Sequence, residues 1–136
     1  MAPRYWRGLF ALAVLVVLVF ALKPASTESL LFEDFDKLQH IAAFIVLTAL
    51  GLLAGLRPIW ALALSLLALS VGIELAQALT PDRTPDVRDV AADAIGIATG
   101  LLLYALRRVF SRWRASRIRP ADASQTAAAT DATRPR

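Results

Sequence analysis

The chain has 136 residues, of which 57% are hydrophobic, with a mean hydropathy of +0.57 and a formal net charge of +4. Soluble domains are about 45–50% apolar, so the chain holds more apolar residues than a core of its own size can bury. The absence of cysteine excludes disulfides, thiolate metal sites and cysteine nucleophiles. The basic residues lie at the ends of apolar runs, which is typical of membrane proteins and argues against a nucleic-acid partner.

Four apolar stretches follow one another along the chain, at residues 6–22, 36–56, 58–79 and 87–108. About 20 helical residues cross the ~30 Å hydrocarbon core of a bilayer, so each stretch is a predicted transmembrane helix, the first being at the short end. Little more than Arg57 separates the second stretch from the third, which predicts a tight antiparallel hairpin. The sequence therefore predicts an all-α, four-helix transmembrane bundle.

The segments outside these helices are polar. Residues 24–35 and 80–86 are predicted loops, and the second contains two prolines. Residues 115–136 lack apolar periodicity and are a predicted disordered cytoplasmic tail, which follows a membrane domain of residues 1–114. The basic start and apolar run of the first helix are also typical of a signal peptide, but KPAS is a poor cleavage site, so we expect this helix to be retained.

Lysine and arginine are distributed unevenly between the two ends of the predicted bundle. If the N-terminus is cytoplasmic, four of the 15 basic residues face outward, namely Lys23, Lys37, Arg83 and Arg88. Cytoplasmic flanks of membrane helices carry the excess of positive charge. We therefore predict that both termini lie in the cytoplasm, and the prediction holds when the distal tail is left out of the count.

The same orientation places nine of the eleven acidic residues in the outer half of the protein. Within the helices, polar residues recur three or four positions apart, so that they share one face of each helix. Ionisable groups cost about 2.5–3.5 kcal/mol each at the bilayer centre, so we expect them to turn inward and meet. The predicted polar cluster comprises Asp36, Lys37, His40, Glu74, Gln77, Arg83, Asp89 and Asp93.

Some of these residues have candidate roles of their own. His40 is the only histidine and, with Glu74, is a candidate general acid or base. Arg83 is a candidate ligand for a phosphate or carboxylate group, or a salt-bridge partner of the acids. Gly96 and Gly100 are four apart, a spacing that lets helices approach closely in lipid.

We expect no metal ion and no cofactor. The carboxylates and His40 include donor types that bind divalent ions, but the sequence has no H-E-x-x-H pattern, and the acids have basic partners nearby.

Three segments resemble the VanZ-like integral membrane proteins of bacteria. DKLQHIAAF, at residues 36–44, is similar to the D-K-x-x-H-x-x-x-[FY] signature of that family. ELAQALTPDR, at residues 74–83, resembles its E-x-x-Q followed by P-x-R, and DVAADAIGIATG, at residues 89–100, resembles D-V-x-A-N-x-x-G-x-x-x-G. The family usually has Asn where this chain has Asp93, which replaces a neutral amide by a carboxyl group.

The resemblance implies a setting in the bacterial cell envelope, as a multi-pass protein of the cytoplasmic membrane. The family takes its name from a protein linked to teicoplanin resistance. We expect the outer polar cluster to bind a lipid or cell-wall-related group, such as a lipid-linked precursor. Two alternatives stay open: a membrane enzyme acting on a lipid-linked substrate through His40 and Glu74, and a structural or assembly subunit whose cluster only locks the helices. No oligomeric state is predicted.

Overall fold

A computed structural model of the protein describes residues 4–22, 33–79 and 86–117, the first three residues of the second range by backbone alone. These ranges contain four α-helices and no strand: α1 Arg4–Ala21, α2 Glu33–Leu53, α3 Ile59–Gln77 and α4 Val87–Arg117. All four are long and apolar enough to cross a membrane. The prediction of an all-helical chain with four helices able to span a membrane is confirmed for this part of the chain, and the orientation of the termini stays a prediction.

The hairpin between α2 and α3 has a defined local cause. Gly55 has a positive φ of 72°, a left-handed conformation that ends a helix at low steric cost when the residue is glycine. The Leu56 N–H then bonds to the Gly51 carbonyl and the Gly55 N–H bonds to the Leu52 carbonyl, both at 3.1 Å. This Schellman motif ends α2 at Leu53, earlier than the predicted boundary at residue 56.

Helix α4 is longer than predicted, since it continues past residue 108 to Arg117. Its last turns contain cation–π pairs at helical spacing: the Arg108 guanidinium carbon lies 5.7 Å from the Tyr104 ring centroid, and that of Arg117 lies 4.6 Å from the Trp113 centroid. Such pairs and the basic last turn favour a helix. The predicted tail therefore begins as helix, and its residues from 118 onward lie outside the described residues.

The chain divides into two compact units, Met1–Leu102 and Leu103–Arg136. The described part of the second unit is the arginine-rich end of α4. The first unit contains the packed interface between the helices, whose buried apolar side chains include Phe44, Leu47, Leu66, Ile73 and Ile97.

Two glycines of α4 allow it to pack closely against α2. A Cβ atom at Gly96 would lie 2.5 Å from the Ile41 carbonyl oxygen and 2.9 Å from the Phe44 Cβ. A Cβ at Gly100 would lie 2.7 Å from the Thr48 Cβ. Neither position has room for a larger residue without movement of α2, so the small residues fix the distance between these helices.

The outer surface of the helices is apolar. No residue of α1 is fully buried, and large side chains such as Phe20, Trp60, Leu75 and Leu102 are more than half exposed. Contiguous apolar surface of this extent requires an apolar environment, which a lipid bilayer provides.

Candidate functional site

Two hydrogen bonds bring helix ends together at one end of the first unit. The Gln77 Nε2 donates to the Ala21 carbonyl at 2.8 Å, which joins the end of α3 to the end of α1. The Asp86 backbone N–H donates to Glu74 Oε2 at 2.9 Å, which joins the last turns of α3 to the residue preceding α4. The polar residues of the site lie at this end.

A buried network of three side chains connects α2, α3 and α4. The Ser70 hydroxyl donates to Asp93 Oδ2 at 2.6 Å, and His40 Nδ1 lies 3.0 Å from Asp93 Oδ1. Ser70 is 0% and Asp93 1% exposed, so the carboxylate is held almost entirely by its protein partners. Charge-assisted hydrogen bonds of this kind are about twice as strong as neutral ones. The Ser70–Asp93–His40 network therefore fixes the relative position of three helices.

The network also orients the imidazole ring. Because the Asp93 carboxylate accepts, His40 Nδ1 carries the hydrogen of this bond. The opposite ring nitrogen, Nε2, faces Asp89 Oδ2 at 3.9 Å, too far for a hydrogen bond. The side chains of His40 and Asp89 are 16% and 15% exposed. Nε2 is thus aimed at the partly open rim of the site.

Glu74 has one carboxylate oxygen that is buried without a partner in the described part of the chain. It is 7% exposed, and its Oε1 atom has no hydrogen-bond partner among the described residues. The carboxylate interacts electrostatically with Asp89, His40 and Asp93. A buried oxygen without a partner is unfavourable by about 1–3 kcal/mol on protein mutational scales, so its retention needs a reason other than packing.

Asp36 completes the rim from α2, one helical turn before His40. It is exposed, and one ligand atom each from Asp36, His40 and Asp89 lies within 4.8 Å of the others. Lys37, next along α2, acts electrostatically on Asp89. Carboxylate oxygens and one imidazole nitrogen therefore dominate the rim, a set that accepts hydrogen bonds or binds cations.

The structure thus brings most of the predicted polar cluster to one end of the bundle. Gln77 lies there too, but it bonds to the backbone of α1. Arg83, the predicted counter-charge, lies outside the described residues. Sequence reasoning missed Ser70, although it stands four positions before Glu74 and shares its helix face. A serine inside an apolar run, on the face that carries the acids, was the available signal.

These features define a multi-pass helical membrane protein with a cluster of ionisable side chains at one end of its bundle. The model of the VanZ/LLP1 family matches residues 6–108, a range that covers all four helices up to residue 108. The chain belongs to the VanZ/LLP1 family, in agreement with the resemblance of its three motifs. No curated protein and no solved structure matches the chain.

Proposed function

We propose that this VanZ-like protein of the bacterial cytoplasmic membrane uses its polar cluster, open toward the outer surface, to bind a lipid or cell-wall-related group. The observation that carries the proposal is the meeting of ionisable side chains from three helices at one end of the bundle. Such groups are expensive inside a membrane and usually mark functional positions.

The gradient of burial across the site supports binding over a purely structural role. Ser70 and Asp93 are sealed inside the helices, whereas His40 and Asp89 are partly exposed and Asp36 is exposed. A cluster that served only to lock helices would need no open rim. The arrangement favours a rigid base that orients an accessible imidazole and two carboxylates.

The chemistry of the rim limits the group it would bind. Carboxylates accept hydrogen bonds and repel bare anions. The best direct match is a group that donates hydrogen bonds, such as the sugar hydroxyls or an amine of a lipid-linked precursor. Arg83 supplies a predicted contact for a phosphate on the same molecule. A role in teicoplanin resistance follows from this proposal if the bound group belongs to the glycopeptide's target.

Lipid analysis of the purified protein tests the proposal. The wild-type chain, extracted from bacterial membranes in mild detergent, should retain a lipid species that is depleted by at least severalfold in Asp89→Ala. Thr99→Ala is the matched control, because among the described residues its hydroxyl bonds to the Ile95 carbonyl of its own helix at 2.8 Å. Identical lipid profiles in all three proteins would contradict the proposal and favour the structural role of the cluster.

A second function, a membrane enzyme, has one specific observation in its favour. Asp93 orients the His40 ring and leaves Nε2 directed at the rim, as in sites where a carboxylate positions a general base. Glu74 is the second candidate acid or base. This function requires turnover of a lipid-linked substrate that disappears in His40→Ala, and unchanged turnover in that variant would exclude His40 as the base.

A further inference from the structure

We propose that Asp36, His40 and Asp89 form a binding site for a divalent transition-metal ion between the first turns of α2 and α4. One donor atom from each residue lies within 4.8 Å of the other two. With metal–ligand distances of about 2.0–2.2 Å, two ligands of one tetrahedral ion lie about 3.3–3.6 Å apart. Closure by about 1.5 Å or less, within reach of the exposed Asp36 side chain, brings the three donors to one ion.

The ring of His40 is already arranged as in protein metal sites. A metal-binding histidine usually donates its other N–H to a carboxylate, which fixes the tautomer and raises the basicity of the ligand nitrogen. Here Nδ1 is 3.0 Å from Asp93 Oδ1, and Asp93 is in turn held by the Ser70 hydroxyl at 2.6 Å. The lone pair of Nε2 is therefore directed away from Asp93 and toward the rim.

The atom facing Nε2 is a second acceptor. His40 Nε2 and Asp89 Oδ2 are 3.9 Å apart, which is within about 0.6 Å of the separation between two ligands of one ion and is longer than a hydrogen bond. In the tautomer set by Asp93, both atoms present lone pairs to the space between them. A cation placed there satisfies both.

Glu74 provides an independent indication of a cationic occupant. Its Oε1 atom is buried and has no hydrogen-bond partner in the described part of the chain. Its Oε2 atom accepts a hydrogen bond from the Asp86 N–H. Asp86 lies three residues before Asp89, so this bond places the Glu74 carboxylate beside the first turn of α4. This unpartnered oxygen is a further acceptor beside the start of α4, and a nearby cation would offset the cost of its burial.

The donor set selects the class of ion. An imidazole nitrogen with carboxylate oxygens suits Zn²⁺, Mn²⁺ or Fe²⁺, whereas Mg²⁺ and Ca²⁺ prefer oxygen ligands alone. No local metal-binding motif is present in the sequence, because the ligands come from two helices that are distant along the chain. This inference stands apart from the proposed function, since the ion needs no lipid for its binding.

Equilibrium binding of metal to the full-length protein tests the inference. His40 is the only histidine, so a tag without histidine is used, and Zn²⁺ and Mn²⁺ are titrated into apo protein in mild detergent. We expect one ion per chain, at least tenfold weaker binding in Asp36→Asn, His40→Ala and Asp93→Asn, and weak binding of Mg²⁺. Asp86→Asn is the matched control, because its Oδ1 is occupied by the Arg88 N–H of the same helix end at 2.9 Å.

Asp36 is exposed and contributes little to packing, so Asp36→Asn should fold even if a variant with a buried substitution does not. This variant therefore decides the test. The absence of stoichiometric Zn²⁺ or Mn²⁺ binding to the wild type would overturn the inference. Equal affinity in the wild type and Asp36→Asn would overturn it as well. Metal-dependent rises in melting temperature that disappear in Asp36→Asn but persist in Asp86→Asn would support it.

Discussion

Removal of the Asp93 carboxylate should destabilise the bundle far more than conversion of the same residue to asparagine. In Asp93→Ala, the Ser70 hydroxyl and His40 Nδ1 both lose the partners that they have at 2.6 Å and 3.0 Å. Ser70 is completely buried, so water cannot replace the lost acceptor. Asp93→Asn keeps one acceptor and one donor, which a rotated hydroxyl and the other tautomer of His40 can satisfy.

The magnitude follows from the two groups left unpaired. Each buried polar group without a partner is unfavourable by about 1–3 kcal/mol, and hydrogen bonds between membrane helices average about 0.6 kcal/mol, with a maximum near 1.7. Two such bonds, charge-assisted and partly sealed from water, give an expected loss of about 2–4 kcal/mol for Asp93→Ala. Asp93→Asn should change the free energy of unfolding by about 1 kcal/mol or less, because removal of a buried charge offsets weaker hydrogen bonds.

Reversible unfolding of the purified protein by titration of a denaturing detergent measures both values. Thr99→Ala again serves as the control, since it deletes a hydrogen bond of 2.8 Å that connects no two helices. A loss below about 0.5 kcal/mol in Asp93→Ala would refute the stabilising role of the Ser70–Asp93–His40 network. Equal losses for Ala and Asn would show that hydrogen bonding is not what the residue contributes.

Three further changes test other contacts of the fold, each by the same unfolding measurement. Gly96→Ala places a methyl group 2.5 Å from the Ile41 carbonyl and should lower the free energy of unfolding by about 1–3 kcal/mol. Gly72→Ala, whose added methyl group meets nothing within 4 Å, should be neutral or slightly stabilising. Equal effects of the two substitutions would contradict the tight contact between α2 and α4. Glu74→Gln should leave the free energy of unfolding unchanged or raise it, since it removes a buried charge and keeps an acceptor for the Asp86 N–H. A loss of about 2 kcal/mol or more would mean that the charge is paired. Gln77→Leu should lower the free energy of unfolding by about 0.5–1.5 kcal/mol, because it removes the hydrogen bond from Gln77 to α1. An unchanged free energy would show that this bond adds no stability.

The number and type of the helices were predictable from sequence because each apolar run has the length of a membrane span. Their boundaries were less predictable. The end of α2 depends on the left-handed Gly55 and its Schellman bonds, and the sequence does not tell which of Gly51 and Gly55 ends the helix. The extension of α4 depends on arginine–aromatic pairs within a segment whose composition is typical of a flexible tail.

The residues of the candidate site were predictable from the sequence, but the contacts between them were not. Helical spacing and the cost of ionisable groups in lipid indicate that His40, Glu74 and Asp93 meet. Spacing does not tell which atoms pair, because the pairing depends on the rotation of each helix about its axis. The structure therefore adds Ser70 as a partner of Asp93, and it shows the free direction of the His40 ring.

The proposed function requires that the polar cluster open toward the outer surface of the membrane. The sequence contains no cysteine, so single substitutions give unique thiols. Arg88 is exposed on the first turn of α4, near the cluster, and Arg114 is exposed near the other end of that helix. In intact cells, a membrane-impermeant maleimide should label Arg88→Cys but should label Arg114→Cys only after lysis. Labelling of Arg114→Cys in intact cells, with Arg88→Cys protected until lysis, would place the cluster on the cytoplasmic side and contradict the proposed function.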